Sequence, residues 1–309
     1  MRELIILGTA SQVPTRRRNH NGYVLLWDGA GILFDPGEGT QRQMLLAGVP
    51  VSALTRICVT HLHGDHCLGL PGVVQRLSLD GVAHPVDLHF PASGQRYVDH
   101  LVHASVFTEL AEVRQRPVDR DGVVDAGPPF AVVARRLDHE PDTYGWRIEE
   151  PPGRTMLPER LAALGVHGPA VAELQRAGSL RVGGRTVDLH DVSVERPGQV
   201  AAFVMDTRLC DAAVSLAADA DLLVCEATFS SADADLATRY RHLTAGQAGT
   251  IAAEAGARRL VITHFSQRYP DERVLLDEAS AAFPDVVAAT DLLRMPFPPR
   301  RGQRHAAAT

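Results

Sequence analysis

Three things are missing or scarce in this sequence of 309 residues: lysine, cysteine and long hydrophobic runs. All 31 basic side chains are arginine, and the four cysteines contain no CxxC pair. Four isolated cysteines do not build a disulfide framework, which favours a cytoplasmic protein. No apolar run approaches the roughly 20 residues that a membrane-spanning helix needs, so we expect no membrane partner.

The charge balance limits the kind of partner that the surface can bind. The formal net charge is −6, whereas a nucleic-acid-binding protein usually carries a basic surface that neutralises phosphates. A phosphate-rich partner would therefore have to be held by a local basic patch. With 45% hydrophobic and 22% charged residues, the chain has the composition of a globular protein, and it is long enough to bury a large core.

Short hydrophobic segments recur along the chain, and each leads to a polar residue that can bind a metal. Segments 130–134, 200–205, 222–225 and 260–263 lead to His139, Asp206, Glu226 and His264. These segments alternate with helical stretches, which predicts an α/β fold. Functional sites in such folds gather at the carboxyl ends of strands, where these residues fall.

The most informative segment is His61-Leu62-His63-Gly64-Asp65-His66, which follows a β-branched apolar run. Four of its six residues are good ligands for a borderline metal ion such as zinc. The alternative, a chance cluster of surface histidines, does not explain its position directly after a buried strand. The cluster supplies too few ligands for two ions. We therefore expect His139, Asp206 and His264 to complete the site, although each alone is equally consistent with a capping or surface residue.

The carboxylate of Asp206 has two oxygens and is suited to bridging two cations. Two ions about 3.5–4 Å apart activate water and neutralise the oxyanion that develops on a substrate. The expected chemistry is hydrolysis. The metal ligands alone do not choose among phosphodiesters, thioesters, lactones and amides.

The segment HLHGDH with its downstream His, Asp and His resembles the metallo-β-lactamase superfamily. A wider set of motifs resembles the ribonuclease Z family, which trims precursor tRNA 3′ ends, and the resemblance runs from about residue 7 to 289. The matching segments are 14–19 (PTRRRN), 34–41 (FDPGEGTQ), 144–147 (YGWR), 206–208 (DTR), 226–229 (EATF), 242–244 (HLT) and 263–269 (THFSQRY).

This resemblance implies an αββα sandwich over residues 1–295 with an inserted flexible arm. It also implies two Zn²⁺ ions per subunit, one held by His61, His63 and His139 and the other by Asp65, His66 and His264, with Asp206 bridging. His and carboxylate ligands also accept Mn²⁺ or Fe²⁺. The implied catalytic residues are Asp65, which orients the attacking water, His242, which assists the scissile phosphate or the leaving oxygen, and Glu226, which orients that histidine. The implied reaction is endonucleolytic removal of the 3′ trailer from precursor tRNA, leaving a 3′-hydroxyl on the tRNA.

Residues 150–186, rich in Pro, Gly and Arg around a helix near 169–177, match the family's tRNA-gripping arm. Over residues 151–186 five arginines outnumber two glutamates, for a net charge of +3. The predicted RNA-binding residues are Gly168, Pro169, Arg154, Arg160, Arg176, Arg181 and Arg185. The resemblance also implies a homodimer in which one arm serves the other subunit. Residues 296–309 are expected to form a loose tail, and Arg16-Arg17-Arg18 is equally consistent with a phosphate contact and a solvated loop.

Three residues depart from the usual family pattern: Met205 where Gly is usual, Pro36 where Cys is common, and Cys225 in place of His. A bulky residue at Met205 could shift the geometry of the neighbouring Asp206 or narrow the cleft. The departures leave room for a second function, hydrolysis of small phosphodiesters, aryl sulfates or lactones. A third hypothesis, a tRNA-binding protein with little catalysis, does not explain why all seven ligand positions are occupied.

Overall fold

The computed structural model describes residues 2–301, and over this range the chain forms eighteen strands and ten α-helices. The strands, in chain order, are β1 (Arg2–Gly8), β2 (Gly22–Trp27), β3 (Ala30–Phe34), β4 (Leu54–Cys58), β5 (Val86–Pro91), β6 (Val113–Val118), β7 (Gly122–Asp125), β8 (Ala131–Arg136), β9 (Tyr144–Glu149), β10 (Gly153–Met156), β11 (Ser179–Val182), β12 (Arg185–Asp188), β13 (Ser193–Arg196), β14 (Val200–Val204), β15 (Leu222–Glu226), β16 (Leu260–Thr263), β17 (Val286–Ala288) and β18 (Arg294–Pro296).

The helices differ in length, and the longest have ten residues. In chain order they are α1 (Thr40–Leu46), α2 (Gly64–Cys67), α3 (Leu70–Leu79), α4 (Gln95–Val102), α5 (Pro158–Ala163), α6 (Pro169–Ala177), α7 (Asp211–Ala217), α8 (Ala234–Tyr240), α9 (Ala245–Glu254) and α10 (Arg273–Ala282). Over residues 2–301, none of them has the length and apolar character needed to cross a bilayer.

Two seven-stranded sheets organise the chain outside residues 150–199. One has the order β18-β1-β2-β3-β4-β5-β6, and the other has the order β17-β16-β15-β14-β9-β8-β7. Strands β3 to β6 are parallel to one another, and so are β14 to β17. Because β8 and β14 both run antiparallel to β9, β8 ends at the same edge as β14.

The sheets are buried on both faces, which explains why their strands are continuous hydrophobic runs rather than alternating patterns. In β1, Leu4 and Ile6 face the core between the sheets, and Ile5 and Leu7 face a helical layer. The rings of Phe34 and Phe203 stack across the core with centroids 3.7 Å apart. Helices α1, α3 and α4 cover one sheet, and α7, α9 and α10 cover the other. The predicted α/β sandwich of αββα layers is confirmed.

Residues Glu150–Gln199 form a separate compact unit. Strand β10 pairs with β13, and β11 forms a hairpin with β12. Helix α6 begins at Pro169 and ends at Gly178, whose φ of 76° favours glycine. A small core of Leu161, Val166, Leu174, Val187 and Val192 holds the unit together. The helix has the bounds that the sequence indicates.

Two boundaries differ from those expected from sequence. The arm was expected to end at 186, but the β10–β13 pairing extends the unit to Gln199. This longer unit has six arginines and six carboxylates, so its formal net charge is zero rather than the +3 of residues 151–186. The tail was expected from 296, but Pro296 pairs with Glu3 and Phe297 packs into the core, because these apolar residues complete the edge of a sheet. The rest of the predicted tail, 302–309, lies outside the described residues.

Candidate active site

The predicted metal ligands converge at the edge where the parallel strands end. His61 and His63 follow β4, His139 follows β8, Asp206 follows β14 and His264 follows β16. Asp65 and His66 lie in the short helix α2, which begins just after His63. All seven predicted ligands therefore enter one region from separate strands and loops, as expected for the carboxyl ends of strands in an α/β fold.

Three residues that follow strands at this edge have left-handed backbones. The φ angles are 45° at Asp35, 28° at Asp206 and 61° at His264. A positive φ is unfavourable for residues other than glycine and is found most often where a site imposes it. The sharp turn after each strand directs the side chain back into the cluster.

Asp206 lies at the centre of the cluster, with its two carboxylate oxygens facing different ligands. Its Oδ2 lies 3.4 Å from Nε2 of His61 and 3.7 Å from Nε2 of His139. Its Oδ1 lies 3.4 Å from Nε2 of His66 and 3.2 Å from Nε2 of His264. This is the arrangement of a carboxylate that can bridge two cations.

The outer nitrogens of two histidines are fixed by acceptors. Nδ1 of His66 lies 2.9 Å from Oδ2 of the buried carboxylate Asp35. Nδ1 of His264 lies 2.8 Å from Oγ1 of Thr228, whose own hydroxyl donates to Oε2 of Glu226. Since Thr228 uses its proton on Glu226, it accepts from His264. Both histidines thus carry hydrogen on Nδ1 and present the Nε2 lone pair to the cluster.

The tautomers of two further ligands are fixed in the same way. Thr60 donates to Asp35 and so accepts from Nδ1 of His61, 3.0 Å away. The backbone carbonyl of Arg241 accepts from Nδ1 of His139 at 2.9 Å. Each ring is held in the tautomer whose Nε2 is free to bind a metal ion.

The residues present fit a pair of divalent cations. Nε2 of His66 and Nε2 of His264 are 3.3 Å apart, and two lone pairs at that distance repel unless a cation lies between them. Within residues 2–301, Nε2 of His139 and Oδ1 of Asp206 are buried without a hydrogen-bond partner. Ligand atoms lie within 4.8 Å of one another in each of two sets, His61 with His63, His139 and Asp206, and Asp65 with His66 and His264.

Next to the cluster, His242 and Glu226 form a hydrogen-bonded pair. Nδ1 of His242 lies 3.0 Å from Oε1 of Glu226, and the same oxygen accepts from the backbone N–H of Thr207 at 2.8 Å. Glu226 is fully buried, whereas the His242 side chain is 13% exposed. The carboxylate fixes the histidine with hydrogen on Nδ1, so its other nitrogen is available to a substrate.

The local charges shift the pKa values of these groups. Burial alone would lower the pKa of His242, but the carboxylates of Glu226 and Asp206 raise it to about 9. The two carboxylates thus favour the protonated imidazole, the form that a proton donor needs.

A cleft of about 880 Å³ opens over the cluster. Its lining includes His63, Asp65, His242 and the apolar side chains of Val13 and Leu68. Three arginines and an exposed tyrosine also line it: Arg239, Arg241, Arg268 and Tyr240. The cleft thus combines cations with apolar surface, although the formal charge of the whole chain is negative.

The basic run at residues 16–18 does not act as one patch. Arg18 is buried and forms an ion pair with Glu272 at 2.6 Å, and Arg17 donates to the carbonyl of Pro270 at 2.7 Å. Arg16 is exposed and has no hydrogen bond or ion pair with any residue between 2 and 301. Of these three arginines, Arg16 is therefore the one whose guanidinium has no hydrogen bond or ion pair within residues 2–301.

Among the five predicted arm arginines, three bond within their own unit. Arg154 donates to Ser193, Arg160 to the carbonyl of Asp191, and Arg185 to the carbonyl of Ala163. Arg176 and Arg181 have no side-chain hydrogen bond or ion pair in the described part of the chain. Gly168, with φ of 55°, and Pro169 form the start of α6.

The three departures from the family pattern lie away from the cleft. Met205 does not narrow the cleft, because its side chain is buried in the core between the sheets, on the face opposite to that of the adjacent Asp206. Cys225 packs on the helix-covered face of its sheet. The carbonyl of Pro36 accepts from the N–H of Gly69 at 2.8 Å. None of the three lines the cleft.

Sequence reasoning assigned no role to Asp35 or Thr228, which fix His66 and His264. Both lie in segments that match the family motifs, and both follow a strand, which is the available signal. The bonds themselves join residues 31 and 36 positions apart, so local pattern does not show them.

Known proteins resemble this chain over nearly its whole length. A family model described as "Metallo-beta-lactamase superfamily" matches residues 15–204. A ribonuclease Z of Nocardia farcinica is 60% identical over 305 residues, covering 97% of this chain and 99% of the relative. A ribonuclease Z of Salinispora arenicola is 58% identical and covers 97% of each. The crystal structure of human tRNase Z, short form, is 25% identical with a TM-score of 0.69, covering 96% of this chain and 100% of that one.

The fold and the His/Asp cluster define an enzyme class, the metal-dependent hydrolases of the metallo-β-lactamase superfamily. Within that class, the chain belongs to the ribonuclease Z family.

Proposed function

We propose that this protein is a zinc-dependent endoribonuclease that cuts the 3′ trailer from precursor tRNA and leaves a 3′-hydroxyl on the tRNA. The central observation is that Asp206 lies between two sets of ligands, with the His242–Glu226 pair beside it. The relatives are named ribonuclease Z, and the similar human structure is titled a tRNase Z. Those names supply the substrate class.

The proposed ligand assignment follows the two sets of atoms described above. One cation would be held by His61, His63 and His139 and the other by Asp65, His66 and His264, with Asp206 available to both. When bound, the two cations supply Lewis acidity, which lowers the pKa of water and neutralises charge on phosphoryl oxygens. Imidazole and carboxylate ligands suit zinc, and they also accept Mn²⁺ or Fe²⁺.

The residues beside the cations position and move protons. Oδ2 of Asp65 accepts from the backbone N–H of Gln12 at 2.7 Å, which fixes the carboxylate that orients the attacking water. The attacking water loses one proton to the solvent as its oxygen bonds to phosphorus, and the bond from phosphorus to the 3′-oxygen of the tRNA breaks. Nε2 of His242 donates a proton to that leaving oxygen, and Glu226 stabilises the protonated ring before transfer.

We propose that the unit Glu150–Gln199 binds tRNA through the arm's predicted residues, above all Arg176 and Arg181. These two are favoured because their guanidinium groups have no hydrogen bond or ion pair within residues 2–301. Arginine suits this role because its fork pairs with phosphate oxygens. A homodimer and a cytoplasmic location stay predictions. Light scattering of the purified protein measures the first.

The test is an assay of two substrates side by side. Metal-loaded protein is incubated with an end-labelled precursor tRNA bearing a 3′ trailer, and separately with bis(p-nitrophenyl) phosphate. We expect a single cut after the discriminator nucleotide, abolished by chelation and by His63→Ala, with His100→Ala as an exposed-histidine control. Turnover of the small diester without any cut in precursor tRNA would reject the tRNA substrate and favour a small-molecule hydrolase.

A further inference from the structure

One hydrogen bond ties the end of helix α8 to a metal ligand, and a second holds His242 against the helix. Arg241 follows the helix with a left-handed φ of 55°, and its carbonyl accepts from Nδ1 of His139 at 2.9 Å. The backbone N–H of His242 donates to the carbonyl of Ala237, inside α8, at 2.8 Å. The last residues of α8 are therefore held at a fixed position relative to a metal ligand and to the proton donor.

The two arginines at this helix end differ in their pairing. The guanidinium of Arg241 lies 3.7 Å from Asp138 and 3.5 Å from Glu140, so its charge is neutralised by carboxylates. Arg239 is exposed and lines the cleft, and within residues 2–301 its guanidinium has no hydrogen bond or ion pair. Arg241 anchors the segment, and Arg239 offers an uncompensated cation to the cleft.

Between these arginines lies Tyr240, an aromatic side chain exposed at the cleft. It is 53% exposed, and its hydroxyl has no hydrogen-bond partner in the described part of the chain. The other tyrosine near this segment behaves differently, because the hydroxyl of Tyr269 hydrogen-bonds with Ser230 and Asp233. An exposed ring on a fixed backbone provides a flat surface for an unpaired base, and it accepts any base because every base has a π-face.

We propose that Tyr240 and Arg239 form a binding subsite for one unpaired nucleotide next to the scissile phosphate of RNA. Tyr240 stacks on the base, and Arg239 pairs with the adjoining phosphate. The subsite is continuous with the catalytic cleft, and its uncompensated cation complements a polyanion. The proposal rests on the proposed function and adds to it which residues hold the nucleotide at the cut.

The first experiment is kinetic. Tyr240→Ala is expected to lower kcat/KM for precursor tRNA about tenfold more than it lowers turnover of bis(p-nitrophenyl) phosphate, which has no base. Tyr240→Phe, which keeps the ring, is expected to retain cleavage. The matched control is Tyr97→Ala, because Tyr97 is 55% exposed and lies on α4. For Arg239→Ala the control is the exposed Arg42→Ala.

The second experiment identifies which nucleotide the subsite holds. Precursors with one abasic site, either just before or just after the cut, are cleaved by wild type and by Tyr240→Ala. At one of these positions the abasic site is expected to lower the cleavage rate of the wild type to that of Tyr240→Ala. The same abasic site should not lower the rate of Tyr240→Ala further, because that variant has already lost the stacking contact. Equal slowing of both enzymes at both positions, or a Tyr240→Ala variant that matches Tyr97→Ala, would overturn the proposal.

A third experiment separates this proposal from the proposed function. The affinity of a short single-stranded oligoribonucleotide is measured by fluorescence anisotropy for the same variants. If the wild type does not cleave precursor tRNA, the proposed function fails, but a loss of oligonucleotide affinity confined to Tyr240→Ala and Arg239→Ala still supports the subsite. Unchanged affinity in both variants contradicts it, whatever the cleavage result.

Discussion

Nδ1 of His242 lies 3.0 Å from Oε1 of Glu226, and that oxygen also accepts from the backbone of Thr207. The second hydrogen bond fixes the carboxylate, and the carboxylate fixes the tautomer and orientation of the imidazole. Because Thr207 follows the central Asp206, the histidine is positioned relative to the ligands by one short stretch of chain. The proton donor and the metal ligands thus form a connected arrangement rather than two separate features.

Replacing either member of this pair is expected to impair cleavage without removing metal. His242→Ala should lower the single-turnover rate by about 10²- to 10⁴-fold, the usual contribution of a positioned general acid. Glu226→Gln should also lower it, because an amide no longer stabilises the protonated imidazole. The measurements are cleavage rate and metal content per chain. A large loss of bound metal in His242→Ala would instead assign this residue to the ligands.

Thr228 is expected to tune the metal site through His264. Its hydroxyl lies 2.8 Å from Nδ1 of His264, so Thr228→Val removes the acceptor that fixes the ring. We expect metal affinity to fall about 10- to 100-fold in the Val variant, as is typical when such a partner of a metal-binding histidine is lost. Thr228→Ser keeps the hydroxyl and should bind metal like wild type. Equal affinities of the Val and Ser variants would show that the hydrogen bond has no such effect.

Metal removal tests the bridging position of Asp206. Wild type is expected to bind two divalent ions per chain, with chelation abolishing activity and lowering the melting temperature, because ligands that bind only the folded state stabilise it. Asp206→Ala should bind fewer than two ions and lose activity. The exposed Asp235→Ala is the control. Two tightly bound ions in Asp206→Ala, measured by elemental analysis, would contradict the bridge.

His89, which is not part of the cleft lining, makes stability depend on pH. It is 2% exposed, and neither ring nitrogen has a hydrogen-bond partner within residues 2–301. Burial lowers its pKa to about 4. Between that value and the ordinary value near ~6.5, the unfolded chain binds a proton that the folded chain does not. Stability therefore falls as the pH falls through this window, by up to about 3 kcal/mol from this residue.

Denaturant unfolding of metal-loaded protein between pH 7 and about pH 5 checks this. The His89→Leu variant, which has no titrating ring, should lose less stability than wild type over the same interval. Identical pH dependence in the two proteins would mean that His89 does not contribute.

The sequence predicts much of this site because five of the seven ligands follow strands, and strand ends meet at one edge of an α/β sandwich. That local rule places His139, Asp206 and His264 beside the HxHxDH segment. It does not show contacts that depend on three-dimensional packing, such as Asp35 with His66 or Thr228 with His264. Strand alternation, by contrast, is a local rule, and it accounts for the side chain of Met205 lying in the core although Met205 is adjacent to Asp206 in sequence.

The boundaries of the arm show a second limit. Composition ends the Pro/Gly/Arg-rich segment at 186, but the pairing of β10 with β13 includes residues up to 199 in the unit. The net charge of +3 predicted for the arm depended on ending the segment at 186; up to 199 the net charge is zero. Charge counts over a segment are meaningful only when its fold is known, because residues that are close in space need not be close in sequence.

The most direct test of the account replaces the leaving 3′-oxygen of the precursor tRNA with sulfur at the predicted bond. Sulfur leaves without protonation far more readily than oxygen, so it removes the need for the proton from His242. We predict that wild type cuts both substrates at this bond, and that His242→Ala is severely impaired on the oxygen substrate but close to wild type on the sulfur substrate. An equal loss on both substrates, or a cut at another bond, would contradict the account.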